Sequence, residues 1–178
     1  MNTYITLLRG INVSGQKMIK MTELRESLEQ IGFHKVQTYI QSGNIIFETD
    51  IAGKEKIQDV VHAGILKDFG FEVPTLTLSR AEIEEILRSN PFAGEEGDKL
   101  YFVLLKNPPE KSLVDQFNGL QFENEDFHIT NDCVYLLCKK GYGNAKLSNN
   151  LIERKLKVEA TTRNLKTMQK LLEMTTKD

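Results

Sequence analysis

The chain has 178 residues and a mass of 20.3 kDa, enough for one substantial globular domain or two small halves. A chain of this length buries roughly 70% of its unfolded surface, so it needs no disulfide or metal to hold it. Apolar residues make up 40% and charged residues 27%, and the formal net charge is -2, which excludes a disordered, collagen-like or polycationic chain.

Residues 4–8 (Tyr-Ile-Thr-Leu-Leu) form a short β-prone run, followed by a loop from Gly10 to Gly15. Thr22 is placed to cap a helix over Glu23–Ile31, whose Leu24, Leu28 and Ile31 make an apolar stripe, with Gly32 as its stop. Two strands are predicted at Val36–Gln41 and Asn44–Glu48, with Ser42-Gly43 as a tight two-residue turn. The next helix covers Lys54–Phe69, with Ile57, Val60, Val61, Ile65 and Leu66 inward and Gly64 as a weak point at its centre. Gly70 ends it. Phe71–Leu78 then resumes an extended pattern, in which Pro74 points to an edge strand or a bulge. The order β-α-β-β-α-β is that of a split βαβ unit.

Ser79 and Glu82 have the spacing of a capping box for a helix ending near Arg88. Asn90-Pro91 terminates that helix, and a polar loop runs to Asp98. Beyond it the pattern gives a strand at Leu100–Leu105, a helix at Glu110–Phe117, and strands at Phe122–Thr130 and Cys133–Cys138. A helix over Ala145–Lys155, a short strand at Val158–Ala160 and a helix over Thr162–Glu173 complete the chain. Tyr4–Arg9 resembles Tyr101–Lys106 in pattern, and the element order repeats. The expected fold class is therefore α+β, two ferredoxin-like (split βαβ) halves packed as one compact unit. The first half is residues 1–78, a linking helix and loop are 79–98, and the second half is 99–178. A single mixed sheet with unrelated decorations is the alternative.

Charge is unevenly spread. Residues 79–138 carry 5 Lys/Arg against 12 Asp/Glu, whereas residues 139–178 carry 10 against 4. The basic end can complete an anion site or simply form a solvated helix face. No apolar run reaches the length of a membrane helix, and the N-terminus lacks the zones of a signal peptide, so no membrane partner is expected. Cys133 and Cys138 within a strand, together with three scattered histidines, suit a reducing cytoplasmic interior and define no metal site.

Three polar, glycine-containing stretches stand out. In the first, Arg9-Gly10-Ile11-Asn12-Val13-Ser14-Gly15 with Lys17, the cations can pair with phosphate or carboxylate oxygens, or anchor the loop itself. Neither dinucleotide nor phosphate-loop spacing is present. In the second, Gln41, Ser42 and Asn44 surround a bend as ligand groups or as turn formers, and Ser42 lacks a nucleophile elbow. In the third, Gly141 and Gly143 precede a helix whose N-terminus, with Lys146, can face an anion. Thr162 is read as the cap of the last helix, with Arg163 and Asn164 near its start. Tyr39 and Phe47 are the sheet aromatics a base could stack on, although the basic-Gly-aromatic RNA pattern is missing and core packing suits Phe47 better.

The segments LLRGINVSGQKMIKM (Leu7–Met21), LRESLEQIGFHKVQTYIQSGNIIF (Leu24–Phe47), GNAKL (Gly143–Leu147) and TTRNLKTM (Thr161–Met168) together resemble the bacterial DUF1697 domain family. The resemblance spans nearly the whole chain. It implies a compact α/β domain with ferredoxin-like substructures, and it implies no reaction, cofactor or catalytic residue. Ser14 stands where the family favours Gly, and Leu165 where an aromatic residue is frequent.

The leading functional expectation is a small anionic or nucleotide-like ligand held in a cleft by loops of both halves. Arg9, Lys17, Lys146 and Arg163 supply charge, and Asn12, Ser42, Asn44 and Asn164 orient polar groups. A non-enzymatic protein-interaction module and weak nucleic-acid binding are the alternatives. An enzyme relying on a ligand-supplied reactive group has no residue here to name a reaction for it, and no cofactor is specified.

Overall fold

A computed structural model describes residues 1–176. The chain divides into two compact units, one of Met1–Glu84 joined by the residues from Leu171 on, the other of Glu85–Lys170. The division points fall inside two helices.

The first unit contains β1 (Asn2–Leu8), α1 (Met21–Gln30), β2 (His34–Tyr39), β3 (Asn44–Thr49), α2 (Lys54–Phe69), β4 (Thr75–Ser79) and the start of α3 (Arg80–Arg88). Its strands form one antiparallel sheet in the order β2-β3-β1-β4. Alternation along the strands divides the side chains between two faces. Leu8, Ile45 and Phe47 join Leu24 and Leu28 of α1 and Ile57, Val61 and Ile65 of α2 in one core. Phe33 lies flat against Phe47, ring centroids 4.3 Å apart. Burying each such side chain contributes about 1.5–3 kcal/mol. The opposite face is apolar and buried as well, through Ile5, Leu7, Ile46, Leu76 and Leu78.

The second unit contains the rest of α3, β5 (Leu100–Leu105), α4 (Lys111–Asn118), β6 (Glu125–Ile129), β7 (Cys133–Cys138), α5 (Asn149–Leu156), β8 (Ala160–Asn164) and most of α6 (Leu165–Met174). Its sheet has the matching order β6-β7-β5-β8. Val103, Leu105, Val134 and Leu136 of the sheet pack with Phe117, Ile152 and Leu156 of the helices.

The repeat extends to individual hydrogen bonds. Leu8 N donates to Gly43 O (2.8 Å) as Leu105 N donates to Asp132 O (2.9 Å). Arg9 N donates to Pro74 O (3.0 Å) as Lys106 N donates to Glu159 O (2.9 Å). Tyr4 is opposite Ser79, and Tyr101 is opposite Asn164. Ser79 and Asn164 then cap the helices that follow them. The Glu82 amide donates to Ser79 Oγ (3.2 Å), and the Thr167 amide to Asn164 Oδ1 (2.9 Å). The α+β class and the two ferredoxin-like halves are thus present, and the helix after Ser79 has a counterpart in α6.

Several local expectations need correction. Thr22 caps nothing, because α1 begins at Met21 with Lys20 at the cap position. Ile31 and Leu66 are exposed rather than inward, Ile31 because it sits beyond the last turn of α1. Gly64 is not a flaw in α2. A Cβ there would come within 3.2 Å of the Ile31 Cδ1 methyl, so glycine eases the approach of the end of α1. The β2–β3 turn spans four residues, 40–43, because Tyr39 pairs with Asn44 and Ile40 turns to positive φ. The strand expected from Phe71 begins only at Thr75 and lies at a sheet edge, where Pro74 ends its approach without an N–H to give.

In the second unit, α5 starts at Asn149 rather than Ala145. The buried Glu125 carboxylate accepts the amides of Lys146 (2.5 Å) and Leu147 (3.3 Å), which holds that stretch outside the helix until Ser148 caps it. Thr162 is not a helix cap. The β-branched pair Thr161-Thr162 continues β8, opposite Leu104 and Val103, and the capping role passes to Asn164.

Candidate functional site

The first unit brings five of the sequence-selected residues into two adjoining loops, 9–20 and 40–43 with Asn44 at its edge. Asn12 joins them. Its Nδ2 donates to Ile19 O (3.0 Å) and to Gln41 O (2.8 Å), while its Oδ1 accepts from Ile19 N (2.8 Å). A backbone bond from Asn12 N to Lys17 O (3.1 Å) closes the base, and Gln16 N donates to Val13 O (2.9 Å) across the tip. Asn12 (φ 54°), Ser14 (φ 52°), Lys17 (φ 48°) and Ile40 (φ 49°) are all left-handed, a conformation that disfavours a β carbon. Gly43 (φ 86°) is required twice over, since a Cβ there would lie 2.6 Å from the Leu8 Cβ.

Each half of this clasp ends in an exposed apolar residue. Val13 follows Asn12, Met18 precedes Ile19, and Ile40 precedes Gln41. They are 58%, 62% and 51% exposed, and they are three of the six exposed large apolar residues among the described residues. Arg9 is half-buried at the end of β1, and the Lys17 ammonium donates to Glu72 O (2.6 Å). Asn44 is fully buried and donates to Tyr39 O and to Ser42 Oγ, both at 2.9 Å.

Lys146, Arg163 and Asn164 belong to the second unit. The Lys146 amide is bound by Glu125 while its residue is exposed. Gly141 precedes a short 3-10 turn, Tyr142–Asn144, and Gly143 is its middle residue; neither opens α5. The Tyr142 hydroxyl accepts the Asn149 amide (3.1 Å) and shares a hydrogen bond with Thr162 (3.4 Å), and Thr162 Oγ1 donates to Asn149 Oδ1 (2.8 Å). Arg163 is buried, with its Nη1 on Thr161 Oγ1 (2.9 Å) and Thr162 O (3.0 Å). Burial lowers its pKa to about 10, which leaves the guanidinium charged at neutral pH.

Neither cysteine is an activated nucleophile. Burial pushes the Cys133 thiol well above its ordinary value. Burial, with the Glu125 carboxylate adding to it, pushes Cys138 up to about 11. No group of three or more His, Cys, Asp or Glu residues able to hold a metal ion occurs among the described residues. No helix among them is long and apolar enough to cross a membrane.

Val13, Met18 and Ile40 at the loop surface, and Glu125 as the carboxylate that shapes the GNAKL stretch, emerge from the structure. The signal for the first two was there: two large apolar residues inside a polar, glycine-rich loop whose periodicity gives them no core to face. Glu125 carried no local signal, because its partners lie about twenty residues further along the chain.

The second unit makes the connection from its first strand to its first helix in five residues, 106–110, where the first unit uses twelve, 9–20. The clasp is an elaboration of the first unit alone.

Comparison with known proteins bears on the family and the fold. No curated protein matches the chain. A solved structure described as the conserved bacterial protein SP0830 from Streptococcus pneumoniae is 25% identical, with a TM-score of 0.77 over 97% of each chain. The model of a protein family of unknown function, DUF1697, matches residues 1–135, and the chain belongs to that family.

Proposed function

We propose that this chain is a protein-interaction module that docks through the clasped loops 10–19 and 40–43. The observation that carries this reading is the seven extra residues of the first unit's β1–α1 connection, pinned by three Asn12 hydrogen bonds and presenting exposed Val13 and Met18, with exposed Ile40 on the adjoining β2–β3 turn. The fold itself does not need them, since the second unit closes the same sheet without them. Left-handed non-glycine residues cost of order 1 kcal/mol each, and such strain gathers where a surface must be held in one shape. Rigid loops presenting apolar side chains lose little entropy on docking.

Residues 9–20 and 40–43 contain Arg9, Lys17 and Lys20 and no Asp or Glu. The matching partner surface is an apolar recess bordered by carboxylates, which would also steer the encounter. A small-anion ligand would use Arg9 and Lys17 at this same surface, but it would compete with bonds that Asn12, Asn44, Arg163 and Asn164 already make inside their own units. Stacking of bases on a sheet draws no support from Phe47, which is buried against Phe33.

The test compares the wild-type protein with a Val13→Asp/Met18→Asp/Ile40→Asp variant, three exposed changes that leave the melting curve nearly unmoved. The wild type should retain a defined protein in near-physiological salt, and the folded variant should lose it at least tenfold. Equal retention by both would refute the docking surface. Saturable phosphate or nucleotide binding that disappears in Arg9→Ala would put the small anion in its place.

A further inference from the structure

Three of the four sheet edges carry a device that blunts them against a further strand. At β4 the Thr77 amide donates to Gln58 Oε1 of α2 (2.8 Å). At β8 the Ala160 amide donates to Glu153 Oε2 and the Ala160 carbonyl accepts from Asn149 Nδ2, both at 3.1 Å and both from α5. At β2 the ladder slips between His34 and Gln37, where Lys35 turns to positive φ (50°), and such a bulge bends an edge away from pairing.

β6, the counterpart of β2, has none of these. Its register against β7 runs unbroken, from Glu125 opposite Cys138 to Ile129 opposite Val134. Thr130 N donates to Cys133 O and Lys139 N donates to Asn124 O, both at 2.9 Å, so the even-numbered residues of this ladder bond to β7. The N–H and C=O groups of Glu125, Phe127 and Ile129 therefore point outward, and no other segment among the described residues bonds to them. Phe127 turns its ring to Phe117 and Phe122 of its own unit, whereas Asp126 and His128 share the opposite face and are exposed.

We infer that β6 is a self-association edge, to which a second copy of this chain adds its own β6, antiparallel, about a two-fold axis at Phe127. Only odd-numbered residues carry outward groups, so the registers that can bond are few. A slip of two residues sets Asp126 against Asp126, or His128 against His128, of the second copy. Centred on Phe127, the pairing bonds Glu125 to Ile129 and Phe127 to its own copy, and it sets each Asp126 opposite the other copy's His128. Those two positions form the closer, non-hydrogen-bonded pairs, and an imidazole N–H donates to a carboxylate whether the ring is neutral or charged. Lys139 holds Asp126 Oδ2 at 3.2 Å, and the second carboxylate oxygen can take the imidazole. The strand is thus complementary to itself, as a two-fold contact requires, and for that reason the occupant is a second copy rather than an unrelated strand. This edge belongs to the second unit alone and does not depend on the loop surface of the first.

Sedimentation of the wild-type protein should show a reversible monomer–dimer equilibrium as its concentration rises towards millimolar, since a short polar contact belongs to the weak class of interfaces. Amide exchange at Glu125, Phe127 and Ile129 should slow in step with the dimer fraction. His128→Asp and Asp126→Lys, both at exposed positions that leave the fold intact, should each weaken association about fivefold. An equimolar mixture of the two variants should restore it, because the carboxylates of one then face the basic side chains of the other. A wild type that stays monomeric at millimolar concentration, exchange at the three amides unchanged on association, or a mixture no tighter than either variant alone would overturn the proposal. So would loss of association in the Val13→Asp/Met18→Asp/Ile40→Asp variant, which would move the contact to the loop surface.

Discussion

The two units share a sheet order, a strand register and matching helix caps, yet they treat the corner beyond their first strand differently. In the first unit that connection is long, clasped by Asn12 and tipped with exposed apolar side chains. In the second it is short and leaves a depression. A second difference lies at the end of the second helix of each unit, where α2 stops at Gly70 (φ 81°) and α5 stops at Lys157 (φ 54°), both left-handed. What the fold requires is what both units have. What only one has is a candidate for a purpose beyond folding.

Substitutions at matched positions test that separation. The largest effect is expected at Gly43, whose carbonyl plays the part that the Asp132 carbonyl plays in the second unit. Gly43→Ala combines positive φ with a 2.6 Å approach to the Leu8 Cβ and should cost about 3 kcal/mol, whereas Asp132→Ala should stay within about 0.5 kcal/mol. Urea denaturation of both variants checks this, and equal losses would show that the close approach at Gly43 sets the first turn apart from the second in no energetic way. Next comes Asn12→Ala, which strands the buried Ile19 amide and should cost about 2 kcal/mol, with faster hydrogen exchange at Ile19 while the second unit is unaffected. Protection unchanged at Ile19 would mean that the clasp does not hold the loop.

The smallest effects have opposite signs. Gly70→Ala should destabilise by about 1 kcal/mol, because alanine fits the left-handed cap poorly. Lys157→Gly should stabilise by about 0.5–1 kcal/mol by relieving that same strain. Calorimetric melting of the two proteins should therefore move in opposite directions, and a shared direction would show that the caps are not equivalent.

Much of this architecture could be read from local pattern. The span Lys54–Phe69 and the strands Leu100–Leu105 and Cys133–Cys138 match their elements, because the first has a helical apolar period, the other two are short continuous apolar runs, and turn residues bound all three. The Ser79–Glu82 capping box is present as its spacing implies, with Ser79 N on Glu82 Oε2 (2.8 Å) and Glu82 N on Ser79 Oγ (3.2 Å). The candidate site was legible in its polar members and not in its apolar ones. The sequence offers Asn12 as a ligand group, whereas its side chain bonds the loop backbone, and nothing in one sequence distinguishes an amide that binds its own chain from one that binds a guest.

The sequence by itself determined the α+β class, the repeat and the order of the elements, since these follow from short-range periodicity and from residues that tolerate or forbid a turn. Tertiary structure decided which side chains were left over. Thr162 became a strand residue because β5 offered it a partner, and Lys146 left the helix because a buried carboxylate some twenty residues earlier took its amide. Val13, Met18 and Ile40 stayed exposed because the core of their unit was filled by other residues. Burial and hydrogen-bond partnership depend on distant chain segments, and no local pattern encodes them.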